Sequence, residues 1–439
     1  MWARLGTLWE ELRSGLWFVP GLMTVAAALL ALALVELDRR LLADGDVAGL
    51  YFAFGGGVQG ARGVLTTIAG SLITVTATVF SITIVALQLA SSQFTPRILR
   101  SFSRDRSNQV VLGVFIGTFT YALLVLRTVR SAADEGQTFV PAVSVAVAIG
   151  LALVAIGFLI YFIHHVAESI RAAVIVDRAT ADTLRLVEQL FPAPIGASAD
   201  GAEILPEPDG ERRVVAAESA GYLQAVDADS LFTLAETSHL LVRMELRIGE
   251  FVLPGGPLAT VWPASAVDDE ITDGVRGAFV TSPERTLQHD AELGIRQIAD
   301  IAMRALSPGV NDPTTAVNCV DRLSEILVVL GNRRAPDRAR AGEDGCVHLL
   351  AGGTTFERAV DLSFDQIRHY GAGDPSFAAH LLVTLGDLAS LVPPYRRPVV
   401  VRQAEALLRG AREQTREPKD LALLEWAAAH GTRRRDGRS

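Results

Sequence analysis

Residues 63–96 read GVLTTIAGSLITVTATVFSITIVALQLASSQFTP, and this run decides the architecture. It holds 34 residues without a charged side chain. As a helix it spans about 50 Å, against a bilayer core of about 30 Å that about 20 apolar residues cross. A span of this length tilts or extends beyond the membrane. It is also rich in hydroxyls: Thr67, Ser71, Thr74, Thr78 and Ser81 recur at steps of four and three, and Gln88 and Ser92 continue the series. That spacing draws a polar stripe along one helix side.

The stripe admits two readings. Small polar residues let transmembrane helices pack closely and bond across their interface, and a hydroxyl can bond back to its own helix. Alternatively, one stripe per subunit lines a water-filled path around a symmetry axis. The residues Thr67, Ser71, Thr74, Thr78, Ser81 and Gln88 are therefore candidates for pore lining or helix packing. Arg97, Arg100 and Arg104 follow the run as a basic mouth that would favour anions, although topology alone also asks for them.

Three more apolar runs flank this one, giving expected transmembrane helices at about 15–36, 63–92, 108–127 and 140–163 in a membrane domain 1–165. Arg4 and Arg13 precede the first run and Ala31-Leu32-Ala33 resembles a cleavage site, yet the run exceeds a usual signal core and reads as an uncut anchor. Orientation follows the positive-inside rule. Arg97, Arg100, Arg104 and Arg106 face a single acid, Asp105, between the second and third runs, and Arg171, Arg178 and Arg185 follow the fourth. The acids Asp38, Asp44 and Asp46 fall in the expected loop after the first run. Both termini are thus expected in the cytoplasm of a bacterial inner membrane. The glycines Gly55, Gly56 and Gly57 lack the GK[ST] ending of a phosphate loop and read as a turn. His164 and His165 with Glu168 read as interfacial residues, not as metal ligands.

Half of all residues are hydrophobic and the mean hydropathy is +0.32, an excess confined to the stretch before residue 164. The rest is an ordinary charged chain. Net charge is −9, with one basic tract, Arg433-Arg434-Arg435, so nucleic acid is not the expected partner. Lys419 is the sole lysine, a coding bias. Two cysteines, Cys319 and Cys346, without CxxC spacing, argue against a disulfide framework or structural zinc.

The second half is expected as an α+β region. A helix continues out of the membrane through 168–190, and a connecting segment ends at 210. Residues 211–265 read as a small β module with strands near 214–215, 221–227, 240–247, 251–253 and 258–262 and a helix at 229–237. Its IGEFVLPGGPLATV run resembles the hairpin of biotinyl-like barrels, but the lysine those carriers modify is missing. Residues 266–332 read as helical. There Glu292, Arg296, Asp300 and Arg304 stand four apart as a salt-bridge ladder. The string Ser307, Asn311, Asp312, Thr314, Thr315 is either a ligand loop at a helix N-terminus or an ordinary helix–helix turn. A linker (333–352), a C-terminal helical region (353–430) and a disordered tail (431–439) complete the expected order.

Three strings, ARGVLTTIAGSLITVTATVFSITIVALQLASSQFTPRIL, LGVFIGTFTYALLVL and QHDAELGIRQIADIAMRALSPGVNDPTTA, occur in that order. Together they resemble a bacterial family of predicted membrane proteins, the domain of unknown function 2254 family. The resemblance implies a membrane protein and supplies no activity, cofactor or site residue.

Three functions compete on these residues. One is an oligomeric channel or transport-like protein for a small ion, with the second half regulating it. The next is a membrane-anchored sensor or scaffold that binds a ligand or partner. An enzyme is the weakest: GxSxG, HExxH and P-loop motifs are absent, and His289, Asp290, Asp300 and Asp312 define no reaction. The expected partners are the lipid bilayer and further copies of the chain, with no cofactor.

Overall fold

In a computed structural model the chain divides into two compact units, Met1–Arg171 and Ala172–Ser439. The structure describes residues 17–43, 54–93, 106–130, 139–169, 171–191, 210–287, 289–334, 339–342 and 346–435.

Four helices long and apolar enough to cross a membrane make up the described part of the first unit: α1 (Phe18–Ala43), α2 (Val58–Gln93), α3 (Arg106–Leu126) and α4 (Ala142–Ser169). Their boundaries correct the expected ones. α1 runs seven residues further than expected, so Asp38 lies within the helix and not in a loop. α2 starts five residues earlier and takes in Gly60 and Arg62. Helix α3 is central: more than half of its apolar stretch is buried, against about a fifth in the other three. Gly113 and Gly117, one turn apart, let α1 pass close over α3, for a Cβ at either would meet Met23 or Ala27. Two apolar clusters fill the interior. Ala31, Leu65, Tyr121 and Val145 bring all four helices together in one. In the other, Val79, Phe115 and Phe162 join α2, α3 and α4.

Asp38 explains how this unit is pinned. It is fully buried and accepts hydrogen bonds from the Val143 amide (2.9 Å), the Ser144 amide (2.9 Å) and the Ser144 hydroxyl (2.6 Å). Those amides open α4, where a helix leaves donors unpaired and its dipole favours an anion. Tyr121 donates to the Ser144 carbonyl (3.0 Å) from α3.

The second unit opens with α5 (Ala172–Leu190). Strands β1 (Arg213–Ala216), β2 (Gly221–Val226), β3 (Leu241–Met244), β4 (Phe251–Val252) and β5 (Pro257–Trp262) follow, with α6 (Ala228–Thr237) inserted after β2. Next come α7 (Asp269–Gly277), β6 (Phe279–Ser282), α8 (Ala291–Ala305) and α9 (Pro313–Gly331). The chain then forms β7 (Ala339–Ala341), β8 (Val347–Leu350), α10 (Phe356–Gly371), α11 (Pro375–Leu391), α12 (Arg397–Gln414) and α13 (Pro418–Arg435).

The strands make two sheets, ordered β1-β5-β3-β8-β7 and β4-β2-β6. The expected module 211–265 is therefore incomplete. β6 pairs antiparallel with β2, and β8, inside the expected linker, pairs in parallel with β3. The glycine-rich run at 248–261 is no hairpin either. β4 pairs with β2 and β5 pairs with β1 and β3, so the turn at Gly255 hands the chain from one sheet to the other. Gly255 has φ +80°, a conformation that favours glycine. Leu223, Val242, Val261, Val275 and Leu349 share one core between these sheets and helices α6 and α7. The helices are capped as their sequences ask. Asp227, Asp268, Asp290, Asp312, Thr355 and Asp374 each accept a first-turn amide. Helix α13 continues through Arg435, well into the tail expected to lack structure.

Candidate functional site

Helix α2 buries Ala61, Leu65, Ala69, Leu72, Val79 and Ala86 against its neighbours. The stripe lies on the other side. Thr67, Ser71, Thr74, Thr78, Ser81 and Gln88 are all exposed on the single chain. Intrachain packing therefore does not account for the hydroxyls. Gly63 and Gly70 share their side, and a Cβ at either would meet nothing within 4 Å. Thr67, Thr74 and Thr78 donate to the carbonyls of Gly63 (2.8 Å), Gly70 (3.0 Å) and Thr74 (3.0 Å). Each hydroxyl so bonded still presents its acceptor lone pairs outward. Gln88 carries an amide with two donors and an acceptor oxygen, more than back-bonding can satisfy. The result is a helix face that offers small, uncharged, hydrogen-bonding groups from Thr67 to Ser81, with the exposed Val85 between them and Gln88. Arg97, Arg100 and Arg104 lie outside the described residues. Near the end of α4, His165 stacks on Tyr161 (5.5 Å between ring centres).

In the second unit the string 307–315 closes a turn on itself. The Ser307 hydroxyl donates to the Arg304 carbonyl (2.7 Å), and the Asn311 amide donates to the Ser307 carbonyl (2.9 Å). Asn311 takes a positive φ of 47°. Asp312 receives the Thr315 amide (3.1 Å) and hydroxyl (2.5 Å). Thr314 is exposed. These polar groups are engaged in joining α8 to α9.

The expected ladder is held differently from rung to rung. Arg296 and Asp300 pair at 2.9 Å. Glu292 turns away to α10, where the Arg358 Nε binds both of its oxygens at 2.9 and 2.8 Å. Arg304 is exposed near the end of α8. Glu292 is only 6% exposed, so this contact is a tie between helices and not a solvated i,i+4 pair. Neighbouring Asp290 is buried as well, caps α8 through the Leu293 amide (3.0 Å), and pairs with Arg285 (2.6 Å). Burial raises its pKa above the ordinary aspartate value, while Arg285 pulls the other way. Asp290, Asp300 and Asp312 thus have separate partners, and His289 is exposed. Burial, with Asp312 adding to it, pushes the Cys319 thiol up to about 12, which leaves it un-ionised at neutral pH.

Asp290 gives a test of these assignments. Asp290→Ala removes the cap and leaves Arg285 without its anion, at a cost of about 2 kcal/mol. Because the native pKa is raised, the carboxyl adds stability below the unfolded value, and that stability is lost as pH rises through the native one. Wild type should therefore gain on Asp290→Asn between pH 7 and pH 4. Urea unfolding of both proteins at the two pH values checks it, and an unchanging difference would contradict the burial argument.

Sequence reading missed the glycine pair of α3, the burial of Asp38 and the partner of Glu292. GVFIG, the small-xxx-small spacing at 113–117, was the one available local signal.

Comparison with known proteins adds relatives. Residues 13–387 match the family described as "Predicted membrane protein (DUF2254)". An uncharacterized protein of Mycobacterium bovis and one of Mycobacterium tuberculosis are each 36% identical to the chain over 434 residues, covering 96% of it and 81% of theirs. No solved structure matches.

Proposed function

The chain belongs to the DUF2254 family of predicted membrane proteins, and from that premise we propose that several copies assemble so that the hydroxyl faces of their α2 helices line a path for a small ion across a bacterial inner membrane. The observation that carries this reading is the placement of Thr67, Ser71, Thr74, Thr78, Ser81 and Gln88 on the side of α2 opposite its intrachain contacts. Back-bonded hydroxyls tolerate lipid, but an amide such as Gln88 favours water or a partner. Four helices per chain are too few to enclose a path alone, so the reading requires symmetric association. The arginine excess at 97–106 and 171–185 favours a cytoplasmic second unit, and regulation of the path is the role assigned to it in this reading. In a membrane-anchored sensor or scaffold, the same α2 face would be a dry contact between copies.

The test uses purified full-length protein in liposomes with potassium and chloride gradients. The expected result is ion flux above that of empty vesicles, reduced about tenfold or more by Thr74→Leu or Thr78→Leu, which add bulk to the face and remove its polar groups. Both variants should remain monodisperse. Absence of flux under voltage and membrane tension, or flux unchanged by both substitutions, would overturn the path and favour the sensor.

A further inference from the structure

The second unit holds a cavity of about 480 Å³ that none of the motifs above explains. Three arginines from different elements reach into it: Arg247 from the loop after β3, Arg296 from α8 and Arg358 from α10. Each is anchored by one edge. Arg358 binds Glu292 through Nε. Arg247 binds Glu250 through Nε (3.0 Å) and one Nη (2.6 Å). Arg296 binds Asp300 through Nε and the Gln366 amide oxygen through one Nη (2.8 Å). A guanidinium has five N–H donors in a rigid fork, so each arginine keeps donors beyond those its anchor takes. Their side chains are 30–37% exposed, so the charged ends are partly desolvated yet open to a ligand.

The remaining wall is acidic and held from the other side. Glu357 and Asp361 bind Arg402 of α12 (3.0 and 2.8 Å), and Asp361 and Asp365 bind the Gln403 amide (2.9 and 2.8 Å). A carboxylate has about four acceptor sites, so these acids can still receive donors from the cavity. A ligand that suits both walls carries an anionic head for the arginines and a donor-rich body for the acids. Bulk alone does not satisfy it, because most of the wall is polar, with Leu362 the sole aliphatic lining residue.

We propose that this cavity binds a phosphate monoester of a small polyol, with the phosphate on Arg247, Arg296 and Arg358 and the hydroxyls donating to Glu357, Asp361 and Asp365. Arginine forks match phosphate oxygens in pairs. Because Arg247 extends from the β module and Arg296 and Arg358 from helices, the ligand ties these two parts of the unit together. The site is independent of the ion path.

The test is calorimetric titration of the full-length protein in detergent with three probes: ribose 5-phosphate, inorganic phosphate and ribose. Ribose 5-phosphate should bind saturably, phosphate more weakly, and ribose not at all. Arg247→Gln and Arg296→Gln should each weaken ribose 5-phosphate about tenfold or more, the loss of one charge-assisted contact. Asp361→Asn should weaken ribose 5-phosphate and leave phosphate unchanged, a split that misfolding would not produce. Arg412→Gln, an exposed arginine of α12 paired with Glu425, should bind as wild type. No saturable binding of either phosphate probe up to about 10 mM, or binding unaffected by both arginine variants, overturns the proposal. Binding of ribose as tight as ribose 5-phosphate overturns it as well.

Discussion

Asp38→Ala should destabilise the first unit by about 3 kcal/mol, the largest loss expected from any single side chain there. The carboxylate is fully buried on α1 and receives two amides and one hydroxyl from the first turn of α4. Alanine removes the acceptor and leaves those donors where lipid and protein, not water, surround them. Each orphaned donor costs about 1–3 kcal/mol, offset in part by relief from burying a charge. Asp38→Asn should lose about half as much. Its amide keeps one acceptor oxygen but sets an NH2 against the remaining donor. Tyr121→Phe, which removes only the bond to the Ser144 carbonyl, should cost about 1 kcal/mol. Unfolding of detergent-purified full-length protein, followed by helical circular dichroism, ranks the three. A melting temperature for Asp38→Ala within about one degree of wild type would show that the acid is not a tie between α1 and α4.

The same residue shows where reading the sequence stops. Length and hydropathy place four spans, because a bilayer constrains a helix through local composition. They cannot place Asp38. Beside Arg39 and Arg40 it looks like the charged end of a span, and its partner Ser144 stands 106 positions away. The β region divides in the same way. Strands such as β2 and β5 show in their apolar and β-branched runs. Strand β8 is four residues long, and its parallel pairing with β3 leaves no local mark. The glycine-rich run at 248–261 misled through its turn chemistry, which serves a crossing between sheets as well as a hairpin. Among the site residues, spacing alone gathered the hydroxyls of α2 on one side. Which side of α2 meets the rest of the chain depends on α3 and α4, so exposure could not be read. Glu292 fits an i,i+4 ladder by sequence, yet Arg358 lies 66 residues on and takes it.

Helix α11 crosses α13 at Gly386 and Gly431, and Gly386→Val should cost about 4 kcal/mol, a large share of the roughly 5–15 kcal/mol that holds a domain folded. A Cβ built on Gly386 would overlap the Gly431 backbone, and one built on Gly431 would lie 3.1 Å from the Leu382 carbonyl oxygen and 3.2 Å from the Gly386 Cα. The obstacle is main chain, which cannot rotate aside as a side chain can. Over-packing of cores costs about 1–3 kcal/mol when side chains absorb it, so a clash that forces two helices apart exceeds that range. Separation would also loosen Leu382 and Leu385, which are nearly fully buried on α11. Gly386→Ala should cost about 2 kcal/mol, since even one methyl finds no room. Gly410 in α12 supplies the control. A Cβ there would meet only the Ala372 Cβ at 3.7 Å, an ordinary contact. Gly410→Ala should hold or gain up to about 1 kcal/mol from helix propensity. Urea unfolding of the full-length variants distinguishes the two glycines. Equal stability of Gly386→Ala and Gly410→Ala would mean that α11 and α13 do not cross backbone to backbone, and the packing described for these helices would fall with it.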